Sequence, residues 1–272
     1  MQELLIEAGH TERNYWRDVW RFRELFYFLA WRDVLVRYKQ TVLGVAWALL
    51  QPLLTMLVFT LVFGRLAKLP SHGAPYPVFV FAALLPWQFF ARALSESGSS
   101  LITNTNLISK IYFPRLIIPA GTIVVALVDF LISFVLLGLL MLWFSYWPGV
   151  RLLLLLVLVP AAILAALGPG LLVAALNVKY RDFRYIIPFI VQLGVYISPV
   201  GFSTSIVPEK WRLLYSLNPM VGLIDAFRWV IVGPSSPIYV PSLYISAAMI
   251  VTLLVAGLWY FRRTERTFAD II

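Results

Sequence analysis

The chain contains no cysteine, only two histidines and little charge. Without cysteine, disulfides, thiolate catalysis and Cys-ligated metals are excluded. His10 and His72 stand far apart and form no metal motif. The dipeptide Gly-Lys never occurs, so there is no G-x-x-x-x-G-K-[ST] phosphate loop, and G-x-G-x-x-G is missing too. No cofactor is expected on this chain, and any ATP dependence has to come from another one. Charged residues make up 13% of the 272 and hydrophobic ones 61%, where soluble domains carry about 25% and about 45–50%. A soluble fold of this size cannot hide so much apolar surface behind so few charges. With a mean hydropathy of +0.85, a soluble enzyme, a nucleic-acid-binding domain and a disordered regulator are all excluded, which leaves an integral membrane protein.

Six apolar runs are long enough to cross a bilayer, which takes about 20 helical residues. They are Val42 to Phe63, Tyr76 to Leu94, Ile117 to Phe144, Leu152 to Leu176, Tyr185 to Phe202 and Leu243 to Phe261. The fifth is short and holds Pro188, Gln192 and Pro199, so a break or kink is expected there. These runs are apolar on all sides, without the alternation a membrane barrel requires. The fold class is therefore all-α and polytopic.

The net charge of +9 reads as topology. With the N-terminus inside, sixteen of the 22 Lys and Arg fall in inner segments and six in outer ones, which places both termini in the cytoplasm. The opening MQELLIEAGHTERN has no apolar core leading to a cleavage site, so the first 41 residues are expected to stay on the protein.

Within that region Tyr15, Val19, Phe22, Phe26 and Leu29 recur at helical spacing opposite Arg13, Arg17, Arg21 and Glu24. Such a helix lies in the membrane interface with its arginines toward headgroups; the alternative is a cytoplasmic helix packed on the bundle. The longest outer segment, Ser203 to Ser242, contains an apolar stretch from Pro219 to Val232. It is too short to cross and suits a re-entrant or surface helix. Asp225 and Arg228 stand at i, i+3 within it, a pairing distance, and Pro208 to Leu217 forms a second short helix before it.

Asp129 is the one acidic residue deep in a span, with no basic residue deep enough to be an obvious partner. A charge there is costly, so Asp129 is either functional, or protonated or hydrogen-bonded at a helix or subunit contact. Aromatic residues near outer span ends, such as Trp143, Tyr146, Trp147 and Tyr244, read as an interfacial belt. Sugar rings stack on aromatic faces, so Trp87 and Tyr196, which lie deeper in their spans, are candidates to line a path if the cargo is a glycan. The inner loop Ser95 to Arg115 turns from polar to amphipathic. Leu101, Thr105, Ile108 and Tyr112 are expected on one face of a short helix that Pro114 stops.

RYKQTVLGVAWALLQP at Arg37 to Pro52, KIYFPRLIIP at Lys110 to Pro119, NVKYRD at Asn177 to Asp182, SPVG at Ser198 to Gly201 and LNP at Leu217 to Pro219, with Phe227-Arg228 following, resemble the membrane subunits of ABC-2-type exporters. The branch they are most similar to exports polysaccharides and polyol phosphates: the O-antigen, capsule and teichoic acid permeases. The likeness runs in order through nearly the whole chain.

The resemblance implies a homodimer of six-span subunits in the bacterial plasma (inner) membrane, joined to two copies of a P-loop ATPase that binds ATP and Mg. It divides the chain into a cytoplasmic N-terminal region (1–41), a transmembrane domain (42–261) and a cytoplasmic tail (262–272). By the same likeness, Arg13, Arg17, Arg21, Phe22 and Phe26 belong to an interface helix. A coupling helix at about 95–114 docks on the ATPase, with Leu107, Lys110, Tyr112, Phe113, Pro114 and Arg115 as its contact residues. Paired gate helices occupy about 204–240. Trp87, Asp129, Tyr196, Asp225 and Arg228 are the candidates for path and gate, and the cargo is a lipid-linked polysaccharide, with no role for nucleic acid. Two other classes compete: a membrane enzyme acting on a lipid-linked sugar, for which the sequence offers no acid or histidine cluster, and an ABC-2 permease for a small drug or lipid.

Overall fold

A computed structural model describes residues 15–39, 42–180 and 182–268, and every regular element among them is helical. In chain order they are α1 (Tyr15–Arg21), α2 (Arg23–Lys39), α3 (Val42–Phe59, prolonged by a wider π-helical stretch Thr60–Leu66), α4 (Tyr76–Thr103), α5 (Thr105–Lys110) and α6 (Ile117–Trp143). Then follow α7 (Leu155–Lys179, entered through a 3-10 turn at Gly149–Leu154), α8 (Phe183–Ile197), α9 (Glu209–Tyr215), α10 (Pro219–Val232) and α11 (Val240–Thr264).

Among the described residues five helical stretches are long and apolar enough to cross a membrane: Ala46–Leu66, Tyr76–Thr103, Ile117–Trp143, Gly149–Lys179 and Val240–Thr267. The expected fifth run forms the shorter apolar α8, only about 22 Å long at 1.5 Å per residue. It ends at Ile197 because Ser198 precedes Pro199, a position biased toward extended backbone; Ser198 has ψ 153°.

The centre of the bundle is α4, which packs against α3, α6, α7, α8 and α10. Its most apolar window is 72% buried, against 22–39% for the other spans. Lipid gives helices no hydrophobic reason to associate, so close packing through small residues has to hold them. At the α7–α11 crossing, a Cβ on Gly257 would lie 2.1 Å from the Gly168 carbonyl oxygen. On the other side of α7, Gly170 abuts Ser97 and Gly98 abuts Val173. A second, smaller apolar cluster closes the α5 end of the bundle, joining Tyr15, Leu101, Ile108, Phe113, Leu171 and Phe261.

One expectation fails here. Ser95 to Thr103 continues α4 as regular helix, and the break comes at Asn104. The serines that suggest a loop are satisfied inside the helix: Ser95, Ser99 and Thr103 hydroxyls each donate to the carbonyl four residues back. Asn104 then takes the Ser100 carbonyl with both backbone and side chain. The short α5 ends at Lys110, before Pro114. Leu101 and Ile108 are buried whereas Tyr112 is exposed, so these residues do not share one helical face.

Candidate functional site

Around Asp129, near the middle of the spanning α6, three helices bring five polar side chains together. The end of α2, which runs along α6, supplies Arg37 and Tyr38; α4 supplies Arg92 and Glu96; α6 supplies Asp129. Arg37 pairs with Glu96 at 2.6 Å and Arg92 with Asp129 at 2.6 Å. The cross-distances are 3.5 Å from Arg37 to Asp129 and 3.8 Å from Arg92 to Glu96. The Tyr38 hydroxyl donates to the other Asp129 oxygen. Two guanidinium groups and two carboxylates thus neutralise one another.

The expectation that Asp129 lacks a basic partner is therefore corrected. Arg92 stands at the C-terminal margin of its apolar run and Arg37 in the segment before the first span, yet the packing of α2 and α4 on α6 carries both to Asp129.

Beside the network lies a cavity of about 330 Å³ between α3, α4, α6 and α8. Gln51, Thr55, Trp87, Gln88, Arg92 and Asp129 are among its lining residues, so hydrogen-bonding groups and one indole face the same space. Trp87 is held by close approach, its ring 2.4 Å from where a Cβ on Gly194 of α8 would stand. Tyr196 is outside this cavity; it is 61% exposed and stacks on Phe59 with ring centroids 6.0 Å apart.

At the opposite, α9 end, the non-helical segment after α8 is tied down from several directions. Arg228, 1% exposed, donates to the carbonyls of Val200 and Phe202 at 2.9 Å each and stands 3.8 Å from the Phe79 ring. Tyr76 donates to the Gly201 carbonyl at 2.7 Å, and Tyr215 of α9 to that of Ile197 at 2.7 Å. Asn218 caps α10 by accepting from the Met220 N–H and donates to the Ser198 hydroxyl. Asp225 accepts from Thr204 at 2.7 Å.

Asp225 and Arg228 thus do not form the ion pair their spacing suggests; none joins them among the described residues. Helix ends and chain breaks leave carbonyls without helical partners, and those after α8 take the guanidinium. Burial of α10 against α4, α7 and α11 also decides between the two expected placements: it is embedded in the bundle and not lying on its surface. In the loop between α3 and α4, His72 is held below the usual imidazole range by burial and then by the Arg228 charge.

At the α5 end, Ile108, Phe113 and Pro114 are buried, Leu107 is half-buried, and Lys110, Ile111 and Tyr112 project outward. The Arg115 backbone N–H donates to the Glu265 carboxylate at 2.6 Å, and its guanidinium to the Glu265 carbonyl. The projecting tip is thereby fastened to the end of α11.

On α1 and α2, Tyr15 and Leu29 are buried, Phe22 and Phe26 half-buried, and Arg17 and Arg21 exposed. Arg13 lies outside the described residues. Burial, and then the nearby Glu265 carboxylate, push the Tyr15 phenol far above its usual range, so it stays neutral. These helices also present a second face that sequence reasoning missed, with Trp20, Tyr27, Phe28 and Trp31 all at least half exposed. Their i, i+7, i+8 and i+11 spacing was the available signal.

Residues 24–232 match the family model described as ABC-2 type transporter. The chain is 28% identical to the O-antigen export system permease protein RfbA of Myxococcus xanthus over 258 residues, 94% of this chain and 98% of the relative. A Klebsiella pneumoniae protein of the same name is 26% identical over 243 residues, 89% of this chain and 92% of that one. The polysialic acid transport protein KpsM of Escherichia coli is 25% identical over 239 residues, 86% and 91% of the two chains. A family match over this much of a helical membrane bundle leaves one assignment: the chain belongs to the ABC-2 type transporter family.

Proposed function

We propose that this chain is the non-enzymatic permease subunit of an ATP-driven exporter that moves a lipid-linked polysaccharide across the bacterial plasma (inner) membrane. O-antigen is the first candidate, capsule or teichoic acid the second. The observation that carries the reading is the run of relatives named for O-antigen export and polysialic acid transport, similar over 86–94% of this chain. A long hydrophilic polymer cannot cross about 30 Å of hydrocarbon unaided. The channel is formed by two copies of the chain and driven by two copies of a separate P-loop ATPase, which binds ATP and Mg. Both termini lie in the cytoplasm, where 16 of the 22 basic residues fall.

In this reading α1 and α2 are the interface helices, and the tip from Leu107 to Arg115 is the coupling element. When the ATPase dimer closes, it displaces the tip. The buried Ile108 and Phe113 and the Arg115–Glu265 bonds pass that displacement to α4 and α11. Through Arg37 and Tyr38, movement of α2 is felt at Asp129, next to the cavity lined by Trp87. At the other end, α9 and α10 with Asp225 and Arg228 form the gate region. The ligand shifts this equilibrium only by its differential affinity for the two states.

The test is to solubilise the tagged chain from its native membrane under mild conditions and identify what accompanies it. A P-loop ATPase in equal amount, lost on Tyr112→Ala, supports the proposal. Recovery of the chain alone, or with a glycosyltransferase, sinks it.

A further inference from the structure

At the α5 end a second cavity, of about 1090 Å³, opens between α1, the 108–115 segment and the end of α11. Among the described residues five cations line it, Lys110, Arg115, Arg262, Arg263 and Arg266, against Asp18 and Glu265. Glu265 is already engaged by Arg115. None of the ion pairs among the described residues involves Lys110, Arg262 or Arg263.

Two of these guanidinium groups stand over aromatic rings. Arg262 lies 4.8 Å from the Tyr15 ring centroid and Arg263 5.4 Å from that of Trp259. A cation–π contact takes up no hydrogen-bond acceptor, so the N–H groups stay available to an oxyanion.

A second feature names the source of that oxyanion. Val251, Val255 and Trp259 of α11 are each at least 59% exposed. At i, i+4 and i+8 they form one apolar stripe up the spanning helix, and Arg263 continues it at i+12. The stripe leads along the spanning helix to the arginines and ends in an indole, the side chain enriched at headgroup level.

We propose that this cavity is a binding site for an anionic glycerophospholipid. The phosphodiester is clasped by Arg262 and Arg263 with Lys110 opposite, and the acyl chains lie along Val251, Val255 and Trp259. Basic pockets at the cytoplasmic ends of membrane helices bind such headgroups. The site shares Lys110 and Arg115 with the tip proposed to meet the ATPase, so an occupied site braces that tip against α11. Only the leaflet that supplies the lipid, the inner one, rests on the proposed orientation; binding itself does not.

The experiment is native mass spectrometry of the full chain in neutral detergent, with phosphatidylglycerol or phosphatidylcholine added at equal concentration. Phosphatidylglycerol is expected to be retained in preference. Retention falls about fivefold for Arg263→Gln alone and about 25-fold for Arg262→Gln with Arg263→Gln, the scale of one surface cation each. Arg263 is exposed, so its single variant keeps the test sound if the double variant does not fold. Arg184→Gln, which removes an exposed cation outside the cavity, leaves retention unchanged.

Equal retention of the two lipids overturns the proposal, as does an equal loss in Arg184→Gln. Displacement of the lipid by inorganic phosphate marks a free-anion site and overturns it too. Unchanged lipid binding in the double variant, together with loss of a co-purifying ATPase, makes the cavity a protein-docking surface and overturns it equally. Failure of the unaltered chain to bring down an ATPase, with its lipid preference and the losses in both variants as expected, would instead count against the exporter reading alone.

Discussion

Replacing Asp129 by Asn keeps the side chain's size and its capacity to accept the Tyr38 hydroxyl, but removes the charge that faces Arg92 at 2.6 Å. The Asp129 side chain is 8% exposed and that of Arg92 26%, so the charge left behind is poorly hydrated. Breaking a buried pair by removing one partner costs about 3–5 kcal/mol. Here Glu96 remains 3.8 Å from Arg92 and 2.6 Å from Arg37, which brings the expected loss down to about 2–3 kcal/mol.

Arg92→Gln should cost about the same, since Asp129 then has the Tyr38 hydroxyl and, as the counter-charge among the described residues, the more distant Arg37 at 3.5 Å. The double variant leaves neither member of the pair uncompensated. It should therefore lose about 2–3 kcal/mol, well short of the sum, with a coupling energy of about 2–3 kcal/mol. Reversible unfolding of the four proteins in mixed detergent micelles measures this cycle. Additivity within about 0.5 kcal/mol would show that the two side chains do not interact, and the link from α4 to α6 would fall with it.

Other expectations follow from single contacts. Gly257→Leu places a Cβ 2.1 Å from the Gly168 carbonyl oxygen and should abolish monodisperse protein, whereas Gly138→Ala meets nothing within 4 Å and should leave elution unchanged. Arg228→Met strands the Val200 and Phe202 carbonyls and should cost about 3 kcal/mol in the same unfolding assay; Arg228→Lys should recover part of it. Tyr112→Ala, at an exposed side chain, should shift stability by less than about 0.5 kcal/mol while ATPase retention drops. Phe113→Ala, one residue on but 4% exposed, should cost about 3–5 kcal/mol. If those two variants behave alike, the division between anchor and tip is wrong.

The spans were legible because a bilayer demands long uninterrupted apolar helices, and the helix from Pro219 to Val232 was bounded by its own signals, Asn218-Pro219 before it and Gly233 after. The stripe of Tyr15, Phe22, Phe26 and Leu29 was readable from spacing alone. What could not be read depends on contacts distant in sequence. Arg37 and Arg92 stand 92 and 37 residues from Asp129, and only packing of α2 and α4 on α6 joins them. Arg228 goes to carbonyls 26 and 28 residues back, and local spacing offered it Asp225 instead. The serines after Leu94 read as a loop because composition does not reveal a hydroxyl that bonds back to its own helix. Trp87 and Asp129, singled out separately, line one cavity; Tyr196, singled out with Trp87, lies elsewhere.

The central claim is that this chain carries a polysaccharide outward. The direct measurement is to delete its gene in the source bacterium and follow the lipid-linked polymer on both sides of the plasma membrane. Export predicts loss of the surface polymer and its accumulation inside, restored by the intact chain. Unchanged surface polymer, with altered sensitivity to a small drug, would contradict the account and assign the chain a different cargo.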